Sequence, residues 1–89
     1  MCYDEEEQRY QEEVLLSVGC NPEQLGEAME LVYKAEKLYP IASLEACCAG
    51  AKAVLDGQRP SLEYLSRFGI GDRFSIEAIY SLLTKGNKS

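Results

Sequence analysis

Apolar side chains recur every three or four residues along most of this chain, a spacing that predicts α-helices. A first helix over residues 4–18 places Tyr10, Val14 or Leu15, and Val18 on one face. Glycine at position 19 ends this pattern, and acids crowd the opening turns, where they suit the positive end of the helix dipole. The first segment is therefore predicted to be an acidic, amphipathic helix.

The second helix has the clearest start signal in the sequence. Asn21 is a preferred N-cap residue, Pro22 suits the first helical position, and Gln24 can reach back in a capping box. Apolar residues then recur at helical spacing through Tyr39, and Pro40 stops the pattern. We predict an amphipathic helix of about 17 residues.

A run of small apolar residues follows, within a predicted helix over Ile41–Leu55 that Gly57 suits as C-cap. Such a run is buried on most of its circumference, and its small side chains allow other helices to approach closely. We therefore expect a central helix with the others packed around it. The stripe expected to meet water consists of Glu45, Lys52 and Asp56, with Cys48 or Ala49 between them.

The C-terminal third predicts a short helix and a longer one. Ser61 caps the short helix, which carries Leu62, Leu65 and Phe68 and which Gly69 ends. A turn over residues 69–72 leads to a fifth helix, with apolar residues at i, i+3, i+4 and i+7 from Ile76 and an end at Lys85-Gly86. Residues 86–89 are expected to fray.

Five helices joined by short turns, with no alternation long enough for a strand, predict an all-α fold: a compact five-helix bundle around the buried Ala- and Cys-rich helix. The 89 residues form one domain over 1–89. No apolar run approaches the roughly 20 residues of a membrane span, and the N-terminus opens with acids instead of a basic signal region. We expect a soluble intracellular protein, cytoplasmic or nuclear, without a membrane partner.

The formal charge of −6 is distributed unevenly. Residues 1–13 carry six acids against one arginine, whereas the chain from Gly50 onward carries six basic residues and four acids. The acidic run is interpreted as a solvated helical face, with a docking surface or a mimic of a nucleic-acid backbone as the alternative. The candidate docking residues are Glu5, Glu6, Glu12 and Glu13.

The residues that usually support catalysis are missing or poorly arranged. The chain has no histidine, which excludes a Cys/His zinc site and a His-based acid–base centre. Gly69-Ile70-Gly71 follows a helix, whereas a phosphate-binding loop needs a preceding strand. We predict no enzyme activity, no metal and no cofactor. Four cysteines without metal-ligand or disulfide-framework spacing are interpreted as reduced, small core residues: Cys2, Cys20, Cys47 and Cys48.

Residues 61–85 also fit the outline of a helix-turn-helix, with a short helix, a glycine-containing turn and a longer helix. The polar flank of the longer helix is mixed in charge and poor in the residue types that read base edges. This segment provides an alternative function, a small DNA-binding regulator. Its candidate nucleic-acid contacts are Arg59, Arg67, Arg73 and Lys85.

From Asn21 to Lys85, the chain resembles a single cyclin-box repeat of the general transcription factors TFIIB and TFB. Leu25–Tyr33 is similar to the second helix of that family, and Ile41–Leu55 is similar to its buried third helix. Gly57–Leu65 is similar to the family's turn into the fourth helix, and Ile76–Leu83 is similar to its last helix. The family carries two repeats and usually a zinc ribbon, whereas this chain has one repeat and no ribbon cysteines. The turn before the last helix is also about one residue longer.

The resemblance implies a cyclin-like interaction module that works in transcription. It implies a protein partner, contacted through a groove between helices or through the acidic first helix. The family's DNA contacts do not carry over residue by residue, because this chain is far less basic. A homodimeric structural protein, joined through exposed tyrosines and the first helix, is a third reading.

Overall fold

The structure is a computed structural model that describes residues 5–88. No strand occurs in this part of the chain, so the predicted all-α fold is confirmed. Its radius of gyration, 12.0 Å, is that of a well-packed domain of this length. The regular elements are α1 (Glu5–Ser17), a 3-10 turn (Pro22–Gln24), α2 (Leu25–Leu38), α3 (Leu44–Asp56), α4 (Leu62–Leu65) and α5 (Ile70–Lys88).

Helix α3 lies at the centre of the domain, as its small residues predict. It packs against α5, α2 and α1, and every residue from Ala46 to Ala51 is buried. Where α3 meets α5, a Cβ atom built on Gly50 would lie 2.5 Å from Cγ2 of Ile79. Only a glycine leaves room for the Ile79 side chain at this position. Gly50 therefore allows α3 and α5 to pack at this spacing.

The ends of α3 differ from the predicted boundaries. Ser43 caps the helix by accepting a hydrogen bond from the Ala46 amide at 3.2 Å, and the helix therefore begins at Leu44. The expected start at Ile41 is wrong, because that residue lies in the preceding turn and is 82% exposed. At the other end Gly57 adopts a left-handed conformation with φ of +73°, which confirms the predicted C-cap.

The predicted water-facing stripe of α3 is only partly correct. Glu45 and Asp56 are exposed, but Lys52 is half-buried. Cys48 and Ala49, expected between them at the surface, are fully buried, because α1, α2 and α5 together enclose the middle of the helix. Water therefore reaches α3 near its two ends.

The two predicted N-cap residues, Asn21 and Ser61, both cap a helical element. Asn21 acts as an N-cap, accepting a hydrogen bond from the Glu23 amide at 2.9 Å, but the element it caps is the 3-10 turn that precedes α2. Ser61 caps α4 by accepting from the Tyr64 amide at 3.1 Å, as predicted. Helix α4 is nevertheless a single turn that ends at Leu65, so Phe68 lies in the following turn instead of in the helix.

Helix α5 is longer than predicted at both ends. The expected turn over residues 69–72 is wrong, because the Arg73 amide already donates to the Gly69 carbonyl at 2.9 Å and the helix begins at Ile70. Asp72 stabilises this first turn through the helix dipole and accepts a hydrogen bond from the Ser43 hydroxyl at 3.1 Å. The helix continues through Lys88, past the predicted end at Lys85-Gly86, while the fraying of residues 86–89 stays a prediction.

Candidate functional site

A cleft of about 250 Å³ lies between the C-terminal turn of α3 and helix α4. It exists because Gly57 ends α3 sharply and Ser61 starts α4, so that the loop between them folds back over the last turn of α3. We name it the Tyr64 cleft. It is lined by Lys52, Ala53, Asp56, Gln58, Arg59, Pro60, Ser61 and Tyr64.

Tyr64 is the fixed wall of the cleft. Its hydroxyl donates a hydrogen bond to the Val18 carbonyl at 2.8 Å, which ties α4 to the end of α1. The Phe68 ring packs edge-on against it, with ring centroids 5.4 Å apart. Burial raises the pKa of Tyr64 to about 12, although the nearby Arg67 opposes the shift. The side chain is therefore neutral and held from two sides.

Two cations contact the Tyr64 ring. The Lys52 ammonium lies 5.3 Å from the ring centroid and the Arg67 guanidinium 5.6 Å from it, both within cation–π range. Lys52 also pairs with Asp56, one helical turn further on, with Nζ 2.6 Å from Oδ2. The ammonium is therefore held in a defined position beside the cleft, instead of extending freely into water.

The structure gathers three of the four predicted nucleic-acid contacts. Arg59 lines the Tyr64 cleft and Arg67 contacts its ring. Arg73 donates from Nε to the Phe68 carbonyl at 3.0 Å, next to the ring that packs on Tyr64. Lys85 is separate, because it lies twelve residues further along α5, about 18 Å at the rise of a helix.

Sequence reasoning did not assign Lys52 and Tyr64 to any site. Lys52 was expected only in the water-facing stripe of α3. The i, i+4 spacing of Lys52 and Asp56 was a usable signal for their ion pair. No local pattern could show that Tyr64 meets Val18, which is 46 residues away.

The four predicted docking residues lie along the outer side of α1. Glu5, Glu6 and Glu13 are exposed and Glu12 is partly buried, while Val14 and Leu15 turn inward to the core. A shallow groove of about 180 Å³ runs between Glu5, Gln8, Arg9 and Glu12. We call Glu5, Glu6, Glu12 and Glu13 the acidic face.

Helix α5 presents large apolar side chains to water. Ile70 is 68% exposed and Phe74 is 70% exposed, and the two lie one turn apart on the same side of the helix. We call them the apolar pair. The opposite side of α5 is buried through Ile76, Ile79 and Leu83, so the bundle does not use the apolar pair for its own packing.

Cys20, Cys47 and Cys48 are buried free thiols, which confirms their predicted place in the core. Burial raises the pKa of Cys47 to about 11 and that of Cys48 to about 12. Cys2 lies outside the described residues. Within residues 5–88, no three His, Cys, Asp or Glu side chains are grouped to hold a metal ion, and no helix there is long and apolar enough to cross a membrane.

Comparison with known proteins gives no relative of this chain: no family model, no curated protein and no solved structure matches it. The resemblance to a cyclin-box repeat therefore depends on residues 21–85 and their spacing alone. The function has to be argued from the surfaces that residues 5–88 present.

Proposed function

We propose that this protein is a non-catalytic protein-interaction module, and that it works in transcription, the setting that the cyclin-box resemblance implies. The observation that carries the proposal is the apolar pair on α5. Two large apolar side chains one turn apart, each more than two-thirds exposed, form an apolar patch that a partner can cover. Their spacing lets a partner contact both from one direction.

The energetics of the fold support this assignment. Ile76 and Ile79 are fully buried and supply the contacts by which α5 packs in the core. Ile70 and Phe74 add little to that packing, so their apolar character is not needed for folding. A docked partner would bury both side chains and recover the hydrophobic free energy that the isolated chain leaves unused.

The acidic face of α1 is the second contact area in the proposal. Glu5, Glu6 and Glu13 are exposed and Glu12 is partly buried, on a helix that packs inward through Leu15. A surface of this charge speeds association with a basic partner surface and disfavours acidic ones. Its contribution to affinity should therefore decrease as salt is added.

The test is affinity capture of the tagged full-length chain from the cells that produce it, with quantitative identification of bound proteins. The wild type should enrich components of the transcription apparatus, and a double variant with Ile70→Ser and Phe74→Ser should lose them. Ile41→Ser with Leu62→Ser is the matched control, because these apolar residues are 82% and 84% exposed elsewhere on the chain. Circular dichroism checks that all variants are folded.

Three outcomes would contradict the proposal. A wild-type bait that enriches no transcription component would remove the transcription setting. Equal loss of partner in the control variant would show that the apolar pair is not the docking surface. The chain could also form a concentration-dependent dimer. If the double variant with Ile70→Ser and Phe74→Ser dissociates that dimer, the partner is a second copy of the chain, as in the homodimer reading.

DNA binding is a second candidate, favoured by Arg59 in the lining of the Tyr64 cleft, by Arg67 on the Tyr64 ring and by Arg73 on the Phe68 carbonyl. Fluorescence anisotropy with labelled duplex DNA tests it over a range of salt concentrations. Affinity should fall steeply as salt rises and should weaken in Arg73→Ala, while Lys85→Ala changes little because Lys85 lies apart. Absent or salt-insensitive binding would dispose of this candidate.

A further inference from the structure

We propose that the Tyr64 cleft binds the phosphate monoester group of a small molecule. This site is separate from the apolar pair, so the proposal does not depend on the docking function above. It follows from the shape of the cleft, the placement of its cations and the fixed position of its wall.

The shape suits a small ligand group. The volume of about 250 Å³ is slightly below the range of pockets that enclose a whole drug-sized ligand, and it accommodates a phosphate with a few attached atoms. Both ends of the loop that closes the cleft are fixed, one by the left-handed Gly57 and the other by the Ser61 cap. A ligand would therefore meet an open cleft whose loop is fixed at both ends.

The donors in the cleft match a phosphate. Arg59 lines the cleft and has a planar guanidinium, which can donate two parallel hydrogen bonds to phosphate oxygens. The Lys52 ammonium has three N–H donors and gives one to Asp56, leaving two. Ser61 accepts from the Tyr64 amide, and its own hydroxyl proton can still be donated. Three donor groups therefore line one cleft and can bind an oxyanion there.

The charges around the cleft are also favourable to an anion, with one exception. Lys52, Arg59 and Arg67 are positive, and Asp56 is the single acid among the lining residues. Asp56 is already paired with Lys52 and weakens the attraction for a second anion. Asp56→Asn keeps an oxygen that can accept from Lys52 but removes the negative charge, so it should strengthen binding.

Preorganisation favours binding over the simple solvation of surface charges. Lys52 is held between Asp56 and the Tyr64 ring, and Tyr64 itself is held by its hydrogen bond to Val18. Ordering these side chains is thus part of folding, so the ligand does not bear that entropic cost. Arg59 is exposed, and its side chain is the main group still to be ordered.

A small ligand is favoured over a nucleic acid by the charge of the whole chain. The formal charge is −6, and residues 1–13 account for −5 of it. A long polyanion meets this repulsion along its length, whereas a single phosphate in the cleft mainly meets the nearby cations, because salt screens distant charges within roughly 10 Å.

The experiment titrates the full-length, isotope-labelled chain with inorganic phosphate and with glycerol phosphate at constant ionic strength, using nuclear magnetic resonance. The Arg59 Nε–H signal and the Ser61 amide should shift and saturate, and the phosphate monoester should bind at least as tightly as inorganic phosphate. Arg59→Ala should weaken binding about tenfold, and Asp56→Asn should strengthen it about fivefold. Arg9→Ala is the matched control and should leave binding unchanged, because Arg9 is an exposed arginine that lines a different groove.

Several results would overturn the proposal. Shifts that never saturate, or that sodium chloride reproduces at equal ionic strength, would reduce the site to ordinary surface charge. Unchanged binding in Arg59→Ala, or weaker binding in Asp56→Asn, would refute the assigned contacts. Another such result is that duplex DNA binds more tightly than glycerol phosphate does. If Arg73→Ala then weakens DNA binding as much as Arg59→Ala does, the cleft binds a nucleic-acid backbone instead.

Discussion

Gly50→Ala provides the most direct test of the helix packing in this domain. Glycine in the middle of a helix is intrinsically unfavourable, and alanine at such a position stabilises a helix by about 1 kcal/mol. Propensity alone therefore predicts that this variant is more stable. The tertiary structure predicts the opposite, because α5 occupies the space that the new methyl group needs.

The magnitude follows from the contacts at this crossing. A Cβ atom on Gly50 would lie 2.5 Å from Cγ2 of Ile79 and 3.0 Å from its Cβ. Carbon atoms are comfortable at roughly 3.5–4.0 Å, and rotation about χ1 cannot move the Ile79 Cβ. The two helices must therefore separate, at a cost of about 2–3 kcal/mol, the upper part of the overpacking range. After the gain in propensity, the net loss is about 1–2 kcal/mol.

Urea unfolding followed by circular dichroism measures this loss, and thermal unfolding should show a Tm lowered by about 4–16 °C for a chain of this size. Gly26→Ala is the matched control, because Gly26 lies in α2 with no heavy atom within 4 Å of its built Cβ. That variant should gain up to about 1 kcal/mol. Ile79→Leu removes the Cγ2 methyl, so the cost of Gly50→Ala should be smaller in this background.

The reasoning is refuted if Gly50→Ala is as stable as the wild type, or if it is stabilised to the same extent as Gly26→Ala. Either result would mean that α3 and α5 lie farther apart than in the structure, where a Cβ atom on Gly50 would be only 2.5 Å from the Cγ2 methyl of Ile79. An equal loss in the Ile79→Leu background would also show that the contact with that methyl is not the cause.

Three further predictions concern the ends, the burial and the ionisation of α3. Gly57→Ala should destabilise the domain by about 1 kcal/mol in urea unfolding because of the left-handed backbone at φ +73°, and Gly57→Asn should recover part of the loss. Ala46→Asp should unfold the chain by circular dichroism, because it buries an unpaired charge at a fully covered position, whereas Glu45→Gln at the exposed neighbouring position should not. Burial raises the pKa of Cys47 to about 11 and that of Cys48 to about 12, against 9.0 for an ordinary thiol, so the unfolded chain loses these protons first. Stability should be constant well below pH 9 and should fall as pH rises from about 9 toward 11 and 12, by roughly 1 kcal/mol per thiol at pH 10. Urea midpoints for the wild type and Cys48→Ala check this, and an identical decrease in both would contradict it.

The local chemistry of the sequence was sufficient for most of the helical framework. Asn21, Gly57 and Ser61 act as caps as predicted, because a cap depends on one side chain or one glycine and on backbone groups a few residues away. The burial of α3 was also predictable, because small apolar residues on nearly every side leave no face suited to water. These features need no knowledge of distant parts of the chain.

Other features were decided only by tertiary contacts. Helix α5 starts at Ile70 although two glycines flank that residue, and Asp72 in its first turn bonds to Ser43, 29 residues away. The Tyr64 cleft likewise depends on Tyr64 meeting Val18 across 46 residues and Lys52 across the turn between α3 and α4. Sequence periodicity reports only which face of each helix turns inward. Which helices meet, and which side chains share a cleft, depends on how closely α3 lets its neighbours pack.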